Sequence, residues 1–339
     1  MLVSGASGFL GRHILEAQRL LDPDIPMIAL VRDRAAWQGW DWTLPLTQVD
    51  TLEGSVTDPE DWSGDERVKG LQGIYHLAAV VRHSRWNVGD LYETNLKGTL
   101  NMVRLAAQDG CRMVLLSTSG TVGCFRSPDE SADEHSPYCE SEIAAWPYYR
   151  SKMMAERGAQ DLAEELGVEL VILRPPMLLG PGDHRLRSSS NVLRFLEQRL
   201  PFLIRGGIHF ADVRDVAQAV LRAMSIPRPR PIYHLPGTAC SIEEFFGMLE
   251  EISGTPAPRA VIPFRVARLL ASAAQRLGVL LKGEPLQLLP DPVVIEMAAR
   301  YWDVRSLYAA DDLAYVTRDA RETLTDTVRW LRETGNAPG

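Results

Sequence analysis

MLVSGASGFLGRH (Met1–His13) runs a short apolar stretch straight into three glycines spaced three apart, Gly5, Gly8 and Gly11. A strand, a glycine turn and the amphipathic pattern FLGRHILEAQRLL together turn backbone N–H groups and a positive helix end toward an anion such as a pyrophosphate. Gly5 permits the tight turn, Gly8 lets backbone approach phosphate, and Gly11 lets the helix sit close to the sheet. The spacing differs from the Gly-x-Gly-x-x-Gly of many dehydrogenases.

The rest of the first 175 residues repeats this alternation. MIALV (27–31), GIYHLAA (73–79), RMVLLS (112–117) and ELVILR (169–174) read as near-continuous apolar strands. LYETNLKGTLNMVRLAAQ and YYRSKMMAERGAQDLAEEL read as helices, the second stopping at Gly167. Such alternation predicts an α/β fold, a doubly wound parallel sheet of Rossmann type covered on both faces. After residue 175 come a Pro/Gly-rich loop, PPMLLGPGD, and a helix over 210–224. PIYHLPG (231–237) reads as one more strand, and the chain is mostly helical from 238. The expected organisation is a dinucleotide-binding domain over 1–175, with 206–237 returning to it. A smaller, mostly helical substrate-binding region is expected from 176–205 and 238–339.

Composition sets bounds. With 339 residues, 45% hydrophobic and 24% charged, the chain has an ordinary globular make-up. A formal charge of -8 argues against broad neutralisation of nucleic-acid phosphates. Cys111, Cys124, Cys139 and Cys240 show neither Cys-x-x-Cys nor a neighbouring His cluster, so reduced thiols and no metal site are expected. No run of about 18 apolar residues predicts a spanning helix, and no basic-then-apolar start predicts a signal peptide. A cytoplasmic location is expected.

Two stretches carry chemistry. In AAWPYYRSKMMAE (144–156), Tyr148 and Tyr149 precede Lys152 by four and three residues. Only four of the 36 basic residues are lysine (Lys69, Lys97, Lys152 and Lys282), so a lysine here is unusual. One helical turn puts its charge on the face of either tyrosine, where it would stabilise a phenolate and draw the phenol pKa down from about 10. Geometry alone leaves both tyrosines open. At the end of the second strand, LVRDR presents Arg32 where an acid would serve the 2′-hydroxyl of NAD. An arginine can pair instead with a 2′-phosphate, so NADP(H) is expected ahead of NAD(H), with Asp33 the residue that would serve NAD(H).

HLAA (76–79), TNLKGT (94–99), LSTSGTVG (116–123), Tyr148-x-x-x-Lys152 and LRPPMLLGPGD (173–183) follow the glycine turn in order. In that order they resemble the extended short-chain dehydrogenases/reductases, the NAD-dependent epimerase/dehydratase family. LVRD and the ending ARYWDVR…LAYVTRDARETLTDTVRWL look most like the dihydroflavonol reductase and 3β-hydroxysteroid dehydrogenase-like branch. The resemblance covers nearly the whole chain. It implies Tyr148 as acid/base, Lys152 holding the nicotinamide ribose, and Ser119, with Thr121 next, bonding the substrate oxygen. Ser117 and Thr118 are expected to cap the strand end. It further implies cofactor contacts from Gly5, Ser7, Gly8, Phe9, Leu10, Gly11, Arg32, Ser55, Val56, Leu77, Ala78, Ala79, Pro175 and Met177, besides Tyr148 and Lys152. Ser55 stands where the family often has an aspartate beside the adenine, which puts that contact in question. Asn95 reads equally as a site residue or a packing residue. A homodimer is a family expectation.

Family members reduce, epimerise or dehydrate, so the fold leaves the reaction open. Gly120 and Thr121 stand where dehydratases carry an acidic pair, which disfavours dehydration. The expected reaction is hydride transfer between a nicotinamide and a hydrophobic ketone or secondary alcohol. A nucleotide-sugar epimerase is the alternative, with Arg205, Arg214 and the His184/Arg185/Arg187 cluster as its diphosphate pocket. A catalytically silent cofactor-binding regulator is the third reading. VARLLASAAQRLGVLL (266–281) carries an apolar stripe flanked by Arg265, Arg268, Arg276 and Lys282. It reads as a packing face against the sheet domain, with a lid over a hydrophobic pocket or a peripheral membrane contact as alternatives.

Overall fold

The computed structural model describes residues 1–282 and 289–338, with the Lys282 side chain outside what is described. Its centre is a seven-stranded parallel sheet: β1 (Leu2–Ser4), β2 (Met27–Val31), β3 (Val49–Glu53), β4 (Gly73–His76), β5 (Arg112–Leu116), β7 (Leu170–Arg174) and β10 (Ile232–His234). The order is β10-β7-β5-β4-β1-β2-β3. Every residue of β1, β2 and β4 is buried, as expected for strands covered on both faces. β3 carries no apolar run, because it is the edge strand and only Leu52 is buried. The α/β doubly wound expectation is met.

Helices α1 (Phe9–Leu21), α2 (Gly98–Asp109), α3 (Pro147–Leu166) and α4 (Val213–Ser225) cover the two faces, α1 against α4 and α2 against α3. No side chain caps α1 at Gly8. A cap is worth only about 1 kcal/mol, whereas burying Leu10, Ile14 and Leu15 is worth about 2 kcal/mol each. Packing therefore holds the helix and leaves its first N–H groups free. The predicted helix at 210–224 begins at Val213 instead: Phe210–Asp212 belong to strand β9 (Gly207–Asp212), and the Asp212 carboxylate caps α4 by accepting from the Arg214 N–H at 2.9 Å.

A second core lies beneath a smaller sheet, β11-β9-β8, with β8 at Met177–Leu179 and β11 at Thr238–Ser241. Phe195, Phe210, Phe245 and Leu249 fill it, under α5 (Ile242–Ser253), α6 (Phe264–Lys282), α7 (Pro292–Ala298) and α8 (Ala320–Glu333). A two-strand pair joins β6 (Cys124–Phe125) to β12 (Tyr301–Trp302). The region after 238 thus contains two short strands that its helical pattern had hidden.

Helix α6 differs from its sequence reading. Ala267 and Ala271 face the core, while Leu269 is 70% exposed and Leu280 82%. Its leucine stripe does not pack on the sheet domain; the small residues do the packing. Lys282, expected to flank the stripe, has its side chain outside the described residues. No described helix is long and apolar enough to cross a membrane.

Candidate active site

The glycine turn lies where the strand order reverses, between β1 and β4, at the carboxyl ends of the strands. Gly5 has φ +72°, and a Cβ there would meet the Ala78 backbone N at 2.6 Å. A Cβ on Gly11 would meet the Gly5 carbonyl oxygen at 2.4 Å, so turn and helix touch backbone to backbone. With no side-chain cap at Gly8, the first N–H groups of the helix, at Phe9 and Leu10, are left as donors that a pyrophosphate could take. Ser7 accepts a 3.0 Å hydrogen bond at Oγ from Arg185. Leu77 donates from its N–H to the Ser4 carbonyl at 3.1 Å, which lays Leu77 and Ala78, with Ala79 next in the chain, beside the glycine turn.

Arg32 directly follows β2 and is exposed. Asp33 is committed elsewhere: its carboxylate accepts from the Ala36 N–H at 2.8 Å and caps the short helix Arg34–Gln38. Ser55 is folded into its own turn, its hydroxyl 2.7 Å from that of Thr57 and its carbonyl accepting from the Trp62 indole at 2.7 Å. Val56 packs over Gly98 and accepts at its carbonyl from Asn101.

Helix α3 opens with Pro147, whose missing N–H costs nothing there. Tyr148 and Lys152 follow one turn apart. The Lys152 ammonium donates to the Leu116 carbonyl at 2.6 Å. Burial pushes its pKa down to about 8, against the opposing charge of Glu156. Burial likewise pushes the Tyr148 phenol up to about 12. The downward shift predicted from spacing is thus absent in the chain alone, because the lysine is turned toward a main-chain oxygen and the phenol is desolvated.

Ser119 opens the turn after β5 and donates from its N–H to the Pro175 carbonyl at 2.8 Å, tying that turn to the loop ahead of Met177 and β8. Thr118 caps the turn as expected, accepting from the Gly120 N–H. Ser117 does not cap; its hydroxyl donates to Glu156. Thr121 is also occupied, donating to the Thr118 carbonyl at 2.9 Å and lying 3.2 Å from Glu156. Sequence reading missed Glu156 and Arg174. The two form a fully enclosed ion pair, with Arg174 Nε 2.9 Å from the carboxylate and Tyr138 donating to it at 3.0 Å. The available signal was the spacing of four between Lys152 and Glu156 on one helix face.

Tyr149 belongs to an aromatic wall beside Tyr148. It stacks on Trp302 with ring centroids 5.1 Å apart and planes 26° apart, and Trp146 lies behind both. Gly120 makes room for it: a Cβ there would sit 2.1 Å from the Tyr149 ring. His83 stands edge-on to Tyr148 at 5.3 Å, its Nδ1 enclosed without a partner among the described residues. Burial pushes its pKa down to about 4, so the ring is neutral. Asn95 clamps the loop after β4 to α3, accepting from the Val80 N–H at 2.7 Å and donating to Ser151 at 2.9 Å.

Of the residues assigned to a diphosphate pocket, Arg214 is engaged by carboxylates, away from His184 and Arg185. Arg214 is held by Asp212 at 2.7 Å and Asp326 at 2.8 Å. His184 and Arg185 lie instead against Ser7 on the glycine turn. Among the described residues no group of three His, Cys, Asp or Glu could hold a metal ion, and the cysteines form no disulfide.

A family model described as NAD dependent epimerase/dehydratase family matches residues 1–234. A putative dihydroflavonol 4-reductase of Synechocystis sp. is 27% identical over 98% of this chain and 94% of its own length. Cinnamoyl-CoA reductase 1 of Oryza sativa subsp. japonica is 31% identical over 74% of this chain and 75% of its own. Sterol demethylase protein B of Methylococcus capsulatus is 27% identical over 98% of each chain. Among solved structures, that of gox2253 superposes with a TM-score of 0.80 over 99% of both chains at 24% identity, a likeness of fold.

Proposed function

Because the chain belongs to the NAD dependent epimerase/dehydratase family, we propose that it is a nicotinamide-dependent reductase of a hydrophobic ketone, or an oxidant of the matching secondary alcohol. The observation that carries this reading is the aromatic wall of Tyr149, Trp302 and Trp146 set directly beside Tyr148. Tyr149 and Trp302 are partly exposed and the buried Trp146 backs them, so the two outer rings offer apolar area to a ring-bearing substrate. Relatives named as a putative dihydroflavonol 4-reductase and a cinnamoyl-CoA reductase support the same direction.

The free N–H groups of α1 and the glycine turn hold the cofactor pyrophosphate, and Arg32 meets a 2′-phosphate, so NADP(H) is the preferred cofactor. The bound nicotinamide supplies a hydride to the carbonyl carbon in reduction, or accepts one in oxidation. Ser119 donates a hydrogen bond to the substrate oxygen and holds it near Tyr148. Tyr148 gives its phenolic proton to that oxygen in reduction and takes it back in oxidation. Lys152, released from the Leu116 carbonyl toward the cofactor ribose, supplies the positive charge that the phenolate needs. Residues 176–205 and the described part of 238–339 form the substrate side of the crevice.

The test is NADPH consumption against aromatic, steroid-like and long-chain ketones, run beside UDP-sugar epimerisation. Turnover of a ketone with no epimerisation is expected. Epimerisation of a nucleotide sugar without net cofactor consumption would overturn the proposal.

A further inference from the structure

The loop after β8, Gly180–Arg187, folds back across the glycine turn. His13 Nε2 lies 2.9 Å from the Pro181 carbonyl, His184 Nε2 lies 3.2 Å from the Ser7 carbonyl, and Arg185 donates to Ser7 Oγ at 3.0 Å. Gly182, at φ +96°, lets the loop pass within contact distance of His13 and Arg12. From the other side the segment after Arg32 rises to meet it. The Trp40 ring stands edge-on to His184 with centroids 3.5 Å apart, and the Arg185 guanidinium lies 5.2 Å from the Trp40 ring centre.

This arrangement gathers positive charge without neutralising it. Partial burial, and after it the charges of Arg32 and Arg187, lower the Arg185 pKa, so the three guanidinium groups feel one another. None of the three has a carboxylate partner among the described residues. The nearby acids face away: Asp183 accepts from the Ser189 N–H and hydroxyl, both at 2.8 Å, and Asp33 caps its own helix. Three like charges held together without counter-charge favour an incoming multivalent anion. Arg32 marks the end of β2, where the adenine ribose of a dinucleotide presents its 2′ position.

We propose that Arg185, carried by a loop outside the strand–turn–helix unit, joins Arg32 to grip the 2′-phosphate of NADP(H), with Arg187 adding to the field. Arg185 leaves Ser7 when the phosphate arrives and offers its planar fork to two phosphate oxygens. The inference rests on the NADP(H) reading above.

Calorimetric titration with 2′,5′-ADP and with 5′-AMP, which differ only in the 2′-phosphate, tests it on the wild type, Arg32→Gln and Arg185→Gln. Arg185 is exposed, and thermal melting checks that each variant is folded. Wild type should bind 2′,5′-ADP more tightly, and Arg185→Gln should weaken it about tenfold or more while leaving 5′-AMP unchanged. An unchanged 2′,5′-ADP affinity in Arg185→Gln, or an equal loss for both ligands, overturns the role of Arg185. A wild type that does not distinguish the two ligands overturns the NADP(H) reading itself, and this proposal with it.

Discussion

The Lys152 ammonium lies 2.6 Å from the Leu116 carbonyl oxygen, one turn of α3 from the buried carboxylate of Glu156. A charged lysine is thereby held in the core by one main-chain oxygen, with the charge of one carboxylate favouring it from a distance. The protein bears a desolvation cost to keep a compact cation at the head of the crevice.

That cost should be measurable. The folded pKa of Lys152, about 8, lies below its ordinary 10.5. Between those values the unfolded chain keeps a proton that the folded chain has released, so this group makes stability rise with pH across the window. Lys152→Met should therefore be more stable than wild type at neutral pH, by on the order of 3 kcal/mol, and the advantage should vanish above about pH 10. Urea unfolding at pH 7 and pH 10 checks this; a variant less stable than wild type at pH 7 would show the lysine to be a net stabiliser.

Glu156→Gln leaves Arg174 charged and enclosed without its partner. Breaking such a pair costs about 3–5 kcal/mol, read as a lower denaturation midpoint. Glu156 also raises the Lys152 pKa, so its loss should move the lysine titration below pH 8. If destabilisation came without that movement, Glu156 would serve Arg174 alone.

Tyr148→Phe should lower turnover by about 10²–10⁴, the usual worth of a positioned proton donor, with cofactor affinity within twofold of wild type. Tyr149→Phe keeps the ring that stacks on Trp302 and should cost less than about tenfold in turnover. Steady-state kinetics with cofactor binding in parallel separates the two. A reversed order would mean that the wrong tyrosine has been assigned.

Gly120→Ala places a methyl 2.1 Å from the Tyr149 ring and should cost about 1–3 kcal/mol through overpacking. The same substitution beside Tyr149→Ala should cost far less, because the clash partner is gone. Thermal melts of the four proteins form the double-mutant cycle, and additive losses would show that Gly120 is needed for its backbone instead.

Local order was legible where a residue's neighbours in sequence are also its neighbours in space. Helix α1 ran from Phe9 to Leu21 as its pattern indicated, and Gly167 ended α3 in the left-handed conformation. β3 escaped because an edge strand has no need of an apolar run, and Phe210–Asp212 misled because a capping aspartate follows strand residues without a break.

The amino-acid order alone determined the glycine turn, the strand–helix alternation and the one-turn interval between Tyr148 and Lys152, since each depends on steric and helical periods a few residues long. Tertiary structure decided what surrounds them. It brought Glu156 against Arg174, set the Tyr149 ring over Gly120, and folded Arg185 back to Ser7 across 178 positions. It also turned the phenol pKa upward instead of down. Desolvation and charge pairing act through space, and no interval in the chain encodes which side chains will be enclosed together.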